Sequence, residues 1–217
     1  MDTIIENPKA VSLEEIPRAF EAQKDFFTTR GPSTFSERMQ TLKKLENWIA
    51  NHKQEIREAI HSDFKKPHLE TDITEILPVL QEIKHTRKNL RKWMRPSRVA
   101  TPISMLGSKA EVIYEPKGVT LIIAPWNYPF QLTVGPLVSA LAAGNTAILK
   151  PSEMTPHTAT MISKMMEAVF DPQEVTVFEG AIEVSQALLE LPFDHIFFTG
   201  SPAVGKIIMR AAAEHLT

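Results

Sequence analysis

Four short apolar runs, VTLIIA, TAILK, VTVF and HIFFT, recur between positions 119 and 199, and each is followed by a longer segment with helical spacing. Those segments are LTVGPLVSALAAG, TPHTATMISKMMEAVF, EVSQALLEL and the stretch from Ala203 to Leu216. A strand that is apolar at nearly every position must be covered on both faces, and regular alternation with helices supplies the cover. The expected core is an α/β fold with a parallel sheet. Ligands of such sheets sit beyond the carboxyl ends of the strands, and every loop with chemistry-bearing residues falls at such an end.

The residues before Gly118 obey another grammar. Six of the eight glycines lie between Gly118 and Gly205, whereas FSERMQTLKKLENWIANHKQEIREAIHSDF carries Met39, Leu42, Leu45, Trp48, Ile49, Ile56 and Ile60 at three- and four-residue steps. That spacing predicts one buried helical stripe. A second run, Ile73, Ile76, Leu77, Leu80, Ile83, Leu90, Trp93 and Met94, repeats it, with Pro78 expected to kink the helix or mark a first turn. From Val99 to Glu115 the pattern alternates and Leu106-Gly107-Ser108 supplies a turn, so two short antiparallel strands are expected. A two-stranded ribbon is marginal alone, which makes this arm a candidate subunit contact. The expected organisation is a helical part over 1–97, the strand pair over 98–117 and a Rossmann-like core over 118–217.

Composition narrows the chemistry. The formal net charge of -2 provides no field for nucleic acid. KHTRKNLRKWMR lines a helical face with Lys84, Arg87, Lys88, Arg91, Lys92 and Arg95, and such faces are ordinarily solvated. The chain has no cysteine, which removes disulfides, thiolate metal sites and any thiol nucleophile. Its histidines lack metal-site pairing. Apolar runs fall short of the ~20 residues of a spanning helix, and MDTIIENPKAV lacks the layout of a signal peptide, so a cytoplasmic location is expected.

Gly200 to Lys206 fits G-x-x-x-x-G-K, but Ile207 stands where a triphosphatase needs a hydroxyl for magnesium. A strand, a Gly200-Ser201 turn and a helix start instead suit a diphosphate, with Gly205 allowing close approach of ligand or sheet. A plain turn before a buried helix is the alternative. In ILKPSE, Lys150 and Glu153 can grip vicinal ribose hydroxyls, the lysine donating and the glutamate accepting. They can equally be a strand-end lysine and a helix-first-turn glutamate. In APWNYPF, the amide of Asn127 can donate to a developing oxyanion, or it can satisfy loop backbone groups.

PWNYPF, AAGNTAILKPSE and FDHIFFTGSPAVGK, in this order, resemble signatures of the aldehyde dehydrogenase superfamily, particularly its class 3 branch of fatty and aromatic aldehyde enzymes. The similarity runs over nearly the whole chain. It implies an atypical Rossmann-like cofactor domain with an oligomerisation arm, a homodimer, and NAD as cofactor with NADP possible. Asn127 would be the oxyanion-hole amide, Trp126 would lie beside the cofactor and Tyr128 near the substrate tunnel. Lys150 and Glu153 would hold the adenosine ribose, Gly180 and Val204 would flank the adenine, and Gly200, Ser201 and Gly205 would form the diphosphate loop. The charge of Glu153 favours NAD over NADP. Pro202 departs from the family's usual Thr and removes a backbone donor, which weakens the expected grip on the diphosphate.

The same resemblance implies an attacking cysteine and a water-activating glutamate in an ELGGK-type segment, both downstream of Thr217. The chain is therefore expected to be the N-terminal part of an NAD(P)-dependent aldehyde dehydrogenase, inactive toward an aldehyde by itself and without the catalytic domain. A catalytically silent dinucleotide-binding or interaction module is the alternative. No metal and no nucleic acid are expected; membrane association is left open.

Overall fold

The computed structural model describes residues 12–217; the MDTIIENPKAV segment discussed above lies outside them. The helical part comprises α1 (Glu15–Arg30), α2 (Phe35–Asn51), α3 (Lys53–Phe64), the short α4 (His68–Thr71) and α5 (Leu77–Trp93). Thr34 starts α2 with a reciprocal capping box to Glu37. The buried stripe expected over 35–64 is carried by two helices that meet at His52, whose φ of -117° and ψ of 26° leave the helical region. The reason is a competing local interaction. The His52 ring stacks on Trp48 at 4.1 Å, and its Nδ1 lies 2.8 Å from the Trp48 carbonyl oxygen. Because only one residue departs, the stripe stays in phase, and Leu42, Leu45, Ile49, Ile56 and Ile60 are all buried.

Pro78 falls in the first turn of α5, where its missing N–H is tolerated. Immediately before it, Asp72–Ile76 form a π-helical turn, closed by the Leu77 N–H donating to the Asp72 carbonyl. The wider turn joins α4 to α5 and sets the rotation at which Glu75 meets the core.

The arm is present as expected: β1 (Ser97–Val99) and β2 (Ala110–Val112) pair antiparallel, Ser97 opposite Val112. Gly107, at φ 93°, makes the turn beyond a 3-10 segment at Ile103–Met105. Ile103 and Leu106 are about nine-tenths exposed.

The remaining elements alternate as the apolar runs require: β3 (Val119–Ile123), α6 (Gln131–Ala143), β4 (Thr146–Lys150), α7 (Pro156–Val169), β5 (Val175–Val177), α8 (Ile182–Leu189), β6 (His195–Phe198) and α9 (Pro202–Glu214). All four strands are parallel, in the order β5-β4-β3-β6. Successive side chains feed opposite faces. Ile122, Ala147, Leu149 and Val175 join the core formed with α2, α3, α5, α6 and α7. Val119, Leu121, Ile123 and Ile148 join Ile16 and Phe20 of α1, Val184 and Leu188 of α8, and Ile208 of α9.

Two elements differ from a uniformly covered sheet. Helix α6 is apolar on most sides because it lies between the sheet and the pair α2 and α5. Strand β6 is one of the two edge strands, and His195 and Phe197 on one of its faces are exposed. No helix among the described residues is long and apolar enough to cross a membrane.

Candidate functional site

Chain direction and strand order together define where a ligand can sit. From β3 the chain builds β4 and β5 on one side, then returns to place β6 on the other. The carboxyl end of β3 is thus a topological switch point, where the loops after neighbouring strands diverge and leave a crevice. Register keeps the strand ends level, with Ile123 opposite both Lys150 and Phe198. Consequently the Asn127 loop lies centrally, with the Lys150 turn on one side and the Gly200-Ser201 turn on the other. Two cavities, of about 100 and 420 Å³, lie elsewhere, around Arg30 and Arg38 and between α5 and α6, and neither is lined by these loops.

Lys150 is 3% exposed, while its ammonium donates to Glu153 Oε2 at 2.7 Å. The two residues therefore act as one unit at the strand end, with Glu153 half exposed and Lys150 supporting it from below. Burial alone would raise the Glu153 pKa, but the Lys150 hydrogen bond, a backbone hydrogen bond and the lysine charge outweigh it and hold the carboxyl below its ordinary value. A carboxylate kept ionised and half exposed is a ready acceptor for paired hydroxyls.

Ser201 is the N-cap of α9, and its Oγ accepts from the Val204 N–H at 3.3 Å. Pro202 occupies the first turn of the helix, and the Gly205 N–H already donates to the Ser201 carbonyl. Of the donors that open a helix, the N–H groups of Ser201 and Ala203 are left without an acceptor among the described residues. Pro202 thus narrows the donor set, as the sequence suggested, at a position where proline suits the helix itself.

The glycines separate by role. A Cβ on Gly205 would meet the Phe198 ring at 3.5 Å, ordinary contact, so packing on the sheet does not require glycine there. Gly200 does require it: a Cβ would come within 2.3 Å of the same ring. Gly180 has φ 141°, and a Cβ would strike Val184 at 2.4 Å, which explains that glycine by the backbone alone. Val204, beside the Ser201 cap, is exposed.

In the loop after β3, Trp126 and Asn127 are exposed and Phe130 is fully buried. The Asn127 side-chain amide makes no hydrogen bond among the described residues, so it is not consumed by the local backbone. What the sequence did not reveal is how this loop is held. Lys66, 6% exposed, donates from Nζ to Glu75 Oε1 at 2.6 Å and to the Asn127 carbonyl at 3.3 Å. Its ammonium also lies 4.3 Å from the Tyr128 ring centroid. Glu75, fully buried, accepts through Oε2 from the Phe130 and Gln131 N–H groups at 2.9 and 3.1 Å. One signal was available: Glu75 precedes Val79, Ile83, Thr86 and Leu90 at helical steps, so a carboxylate sits in register with a buried stripe.

A further carboxylate at this edge is Glu179, between β5 and Gly180. Burial pushes its pKa up, the hydrogen bond from Thr160 at 2.8 Å works against this, and the Glu167 charge adds to the rise. A folded-state pKa above the unfolded value makes a contribution that is present in acid and lost as pH rises past the ordinary value. Glu179→Gln, whose carbonyl still accepts from Thr160, is expected to be more stable than the parent at pH 8, the gain disappearing below roughly pH 4. Thermal unfolding of both proteins across this range checks it; a gain independent of pH overturns the assignment.

The profile of the aldehyde dehydrogenase family matches residues 2–217. Aldehyde dehydrogenase family 3 member H1 of Arabidopsis thaliana is 41% identical over 205 residues, which are 94% of this chain and 41% of that protein. The substrate-bound structure of Staphylococcus aureus AldH superposes with TM-score 0.91 at 45% identity, over 93% of this chain and 44% of that one. The NAD+ complex of an aldehyde dehydrogenase from Bacillus cereus superposes with TM-score 0.85 at 27% identity, over 95% and 42% of the two chains. The chain thus spans less than half the length of these relatives. With its Rossmann-like sheet, its antiparallel arm and a family profile matched from residue 2 to residue 217, the chain belongs to the aldehyde dehydrogenase family.

Proposed function

We propose that the chain is the cofactor-binding part of an NAD(P)-dependent enzyme oxidising an aldehyde to a carboxylic acid. The observation that carries this is the gathering, at one sheet edge, of the Lys150–Glu153 unit, the α9 N-terminus and the uncommitted amide of Asn127. These groups fit a dinucleotide. Glu153 and Lys150 would receive the adenosine ribose hydroxyls, Gly180 and Val204 would border the adenine, and the Gly200–Gly205 turn would take the diphosphate. The bound nicotinamide supplies the hydride acceptor. Trp126 would shield it from water, Tyr128 would border the substrate, and Asn127 would donate its amide N–H to the oxygen that gains charge at the aldehyde carbon. The Glu153 carboxylate favours NAD by repelling a phosphate on the same ribose.

No cysteine is available to attack the aldehyde. On this reading the isolated chain binds NAD without consuming it. Calorimetric titration is expected to show binding that Lys150→Met weakens about 10–100-fold, the loss of a charge-assisted hydrogen bond. Mixed with NAD and an aldehyde, the chain should form no NADH. Unchanged affinity in the variant overturns the ribose assignment; NADH production overturns the dependence on a thiol. The exposed Ile103, Leu106, Ile113 and Tyr114 of the arm support a homodimer formed through it.

A further inference from the structure

We propose that Lys66 and Glu75 are positioning residues for Asn127, a buried ionic clamp that sets the direction of its amide. The inference deepens the proposed function and rests on the reading of Asn127 as an oxyanion donor.

The local problem is a mechanical one. Asn127 lies in an exposed loop between β3 and α6, and an exposed loop does not by itself hold a side chain to within the fraction of an ångström that oxyanion stabilisation needs. Hydrogen bonds from the loop's own side chains do not supply the restraint. Helix α6 itself holds the Tyr128 and Pro129 carbonyls, which accept from the Leu132 N–H and the Thr133 hydroxyl; what reaches Asn127 and the N–H groups of Phe130 and Gln131 comes from the helical part of the chain, more than fifty residues earlier in sequence. The Glu75 carboxylate receives the N–H groups of Phe130 and Gln131, two of those that open α6, which places a negative charge at the positive end of that helix. This fixes the loop's exit. Lys66 holds the middle, through the Asn127 carbonyl and the face of the Tyr128 ring. Since the carbonyl belongs to Asn127 itself, fixing it fixes the plane from which the side chain departs.

Stability alone does not account for such a pair. Burying two charges is expensive, and well-packed apolar residues of similar volume commonly do as well or better. Here the desolvated charges are spent on three main-chain groups of one loop, and the π-helical turn at Asp72–Ile76 is what brings Glu75 round to them.

The test replaces both charges at once, since either single variant leaves the other buried and unpaired and can unfold the chain. Lys66→Met with Glu75→Leu keeps volume and removes the clamp. The double variant is expected to fold, with the sheet and α5 amides exchanging as in the parent. Backbone order parameters at residues 126–128 should fall from ~0.85 to below ~0.6. Exchange of the Phe130 and Gln131 amides should accelerate at least ~10-fold. Lys66→Met alone, where folded, should loosen 126–128 while leaving Phe130 and Gln131 protected. A folded double variant whose loop is as ordered as the parent's overturns the proposal, and so does loosening spread evenly over the chain. Neither readout involves aldehyde or cofactor, so the clamp can fail while the role of Asn127 stands, or the reverse.

Discussion

Asn127→Ala is expected to lower kcat by about 10²–10³-fold, the penalty for deleting one preorganised oxyanion donor. Because this chain spans 44% of Staphylococcus aureus AldH, the measurement is made in a chimera joining it to the rest of that protein, with 45% identity over the shared region. On the proposed reading the effect should fall on kcat with little change in KM, since the amide would meet its partner only once charge has developed on the carbonyl oxygen. Folding should be untouched: the side chain is exposed and has no hydrogen-bond partner among the described residues, and such substitutions ordinarily stay within about 0.5 kcal/mol. Asn127→Asp, which puts a negative charge where charge builds up, should be at least as slow. A chimera that turns over without Asn127 at a rate within about threefold of the parent, a barrier change of under ~1 kcal/mol, would remove this residue from the mechanism.

Leu149→Ala is expected to destabilise the chain by about 2–5 kcal/mol, the range for emptying a fully buried leucine site. Leu149 is 0% exposed and stands on β4, which is hydrogen-bonded to β3 on one side and β5 on the other. Its neighbours across the core belong to helices packed on the same face, so several elements would have to move to close the cavity. Against the ~5–15 kcal/mol total of ordinary domains, this is a large share. Lys150 follows directly in the strand, so on the proposed reading a shift of the β4 backbone at Leu149 should also weaken NAD binding. Urea unfolding measures the first effect; a loss under ~1 kcal/mol would show that the β4 site collapses freely.

Much of the fold was legible because burial leaves a simple periodic trace. The runs around β3 and β4 are apolar at nearly every position because both faces are covered, and the structure covers them. Pro78 and Gly107 act through backbone geometry that any context preserves. The division at His52 was not legible, because it depends on one ring stacking on Trp48 within a stripe whose phase never changes. The Lys150–Glu153 contact was within reach, being three residues apart at a strand end. The Lys66–Glu75 clamp was not, since its groups come from two distant stretches and meet through main-chain atoms.

By itself the sequence determined that a parallel sheet would have its inner strands covered on both faces and that the loops with chemistry-bearing residues would follow its strands. It also determined that no thiol chemistry resides in this chain. Only the tertiary structure decided that β6 lies beside β3, so that the Ser201 turn and the Asn127 loop follow the level ends of neighbouring strands, and that buried charges from the helical part hold that loop. The physical reason is range. Periodicity and turn chemistry are short-range properties written into neighbouring residues, whereas strand order and buried ion pairing depend on which distant surfaces exclude water together.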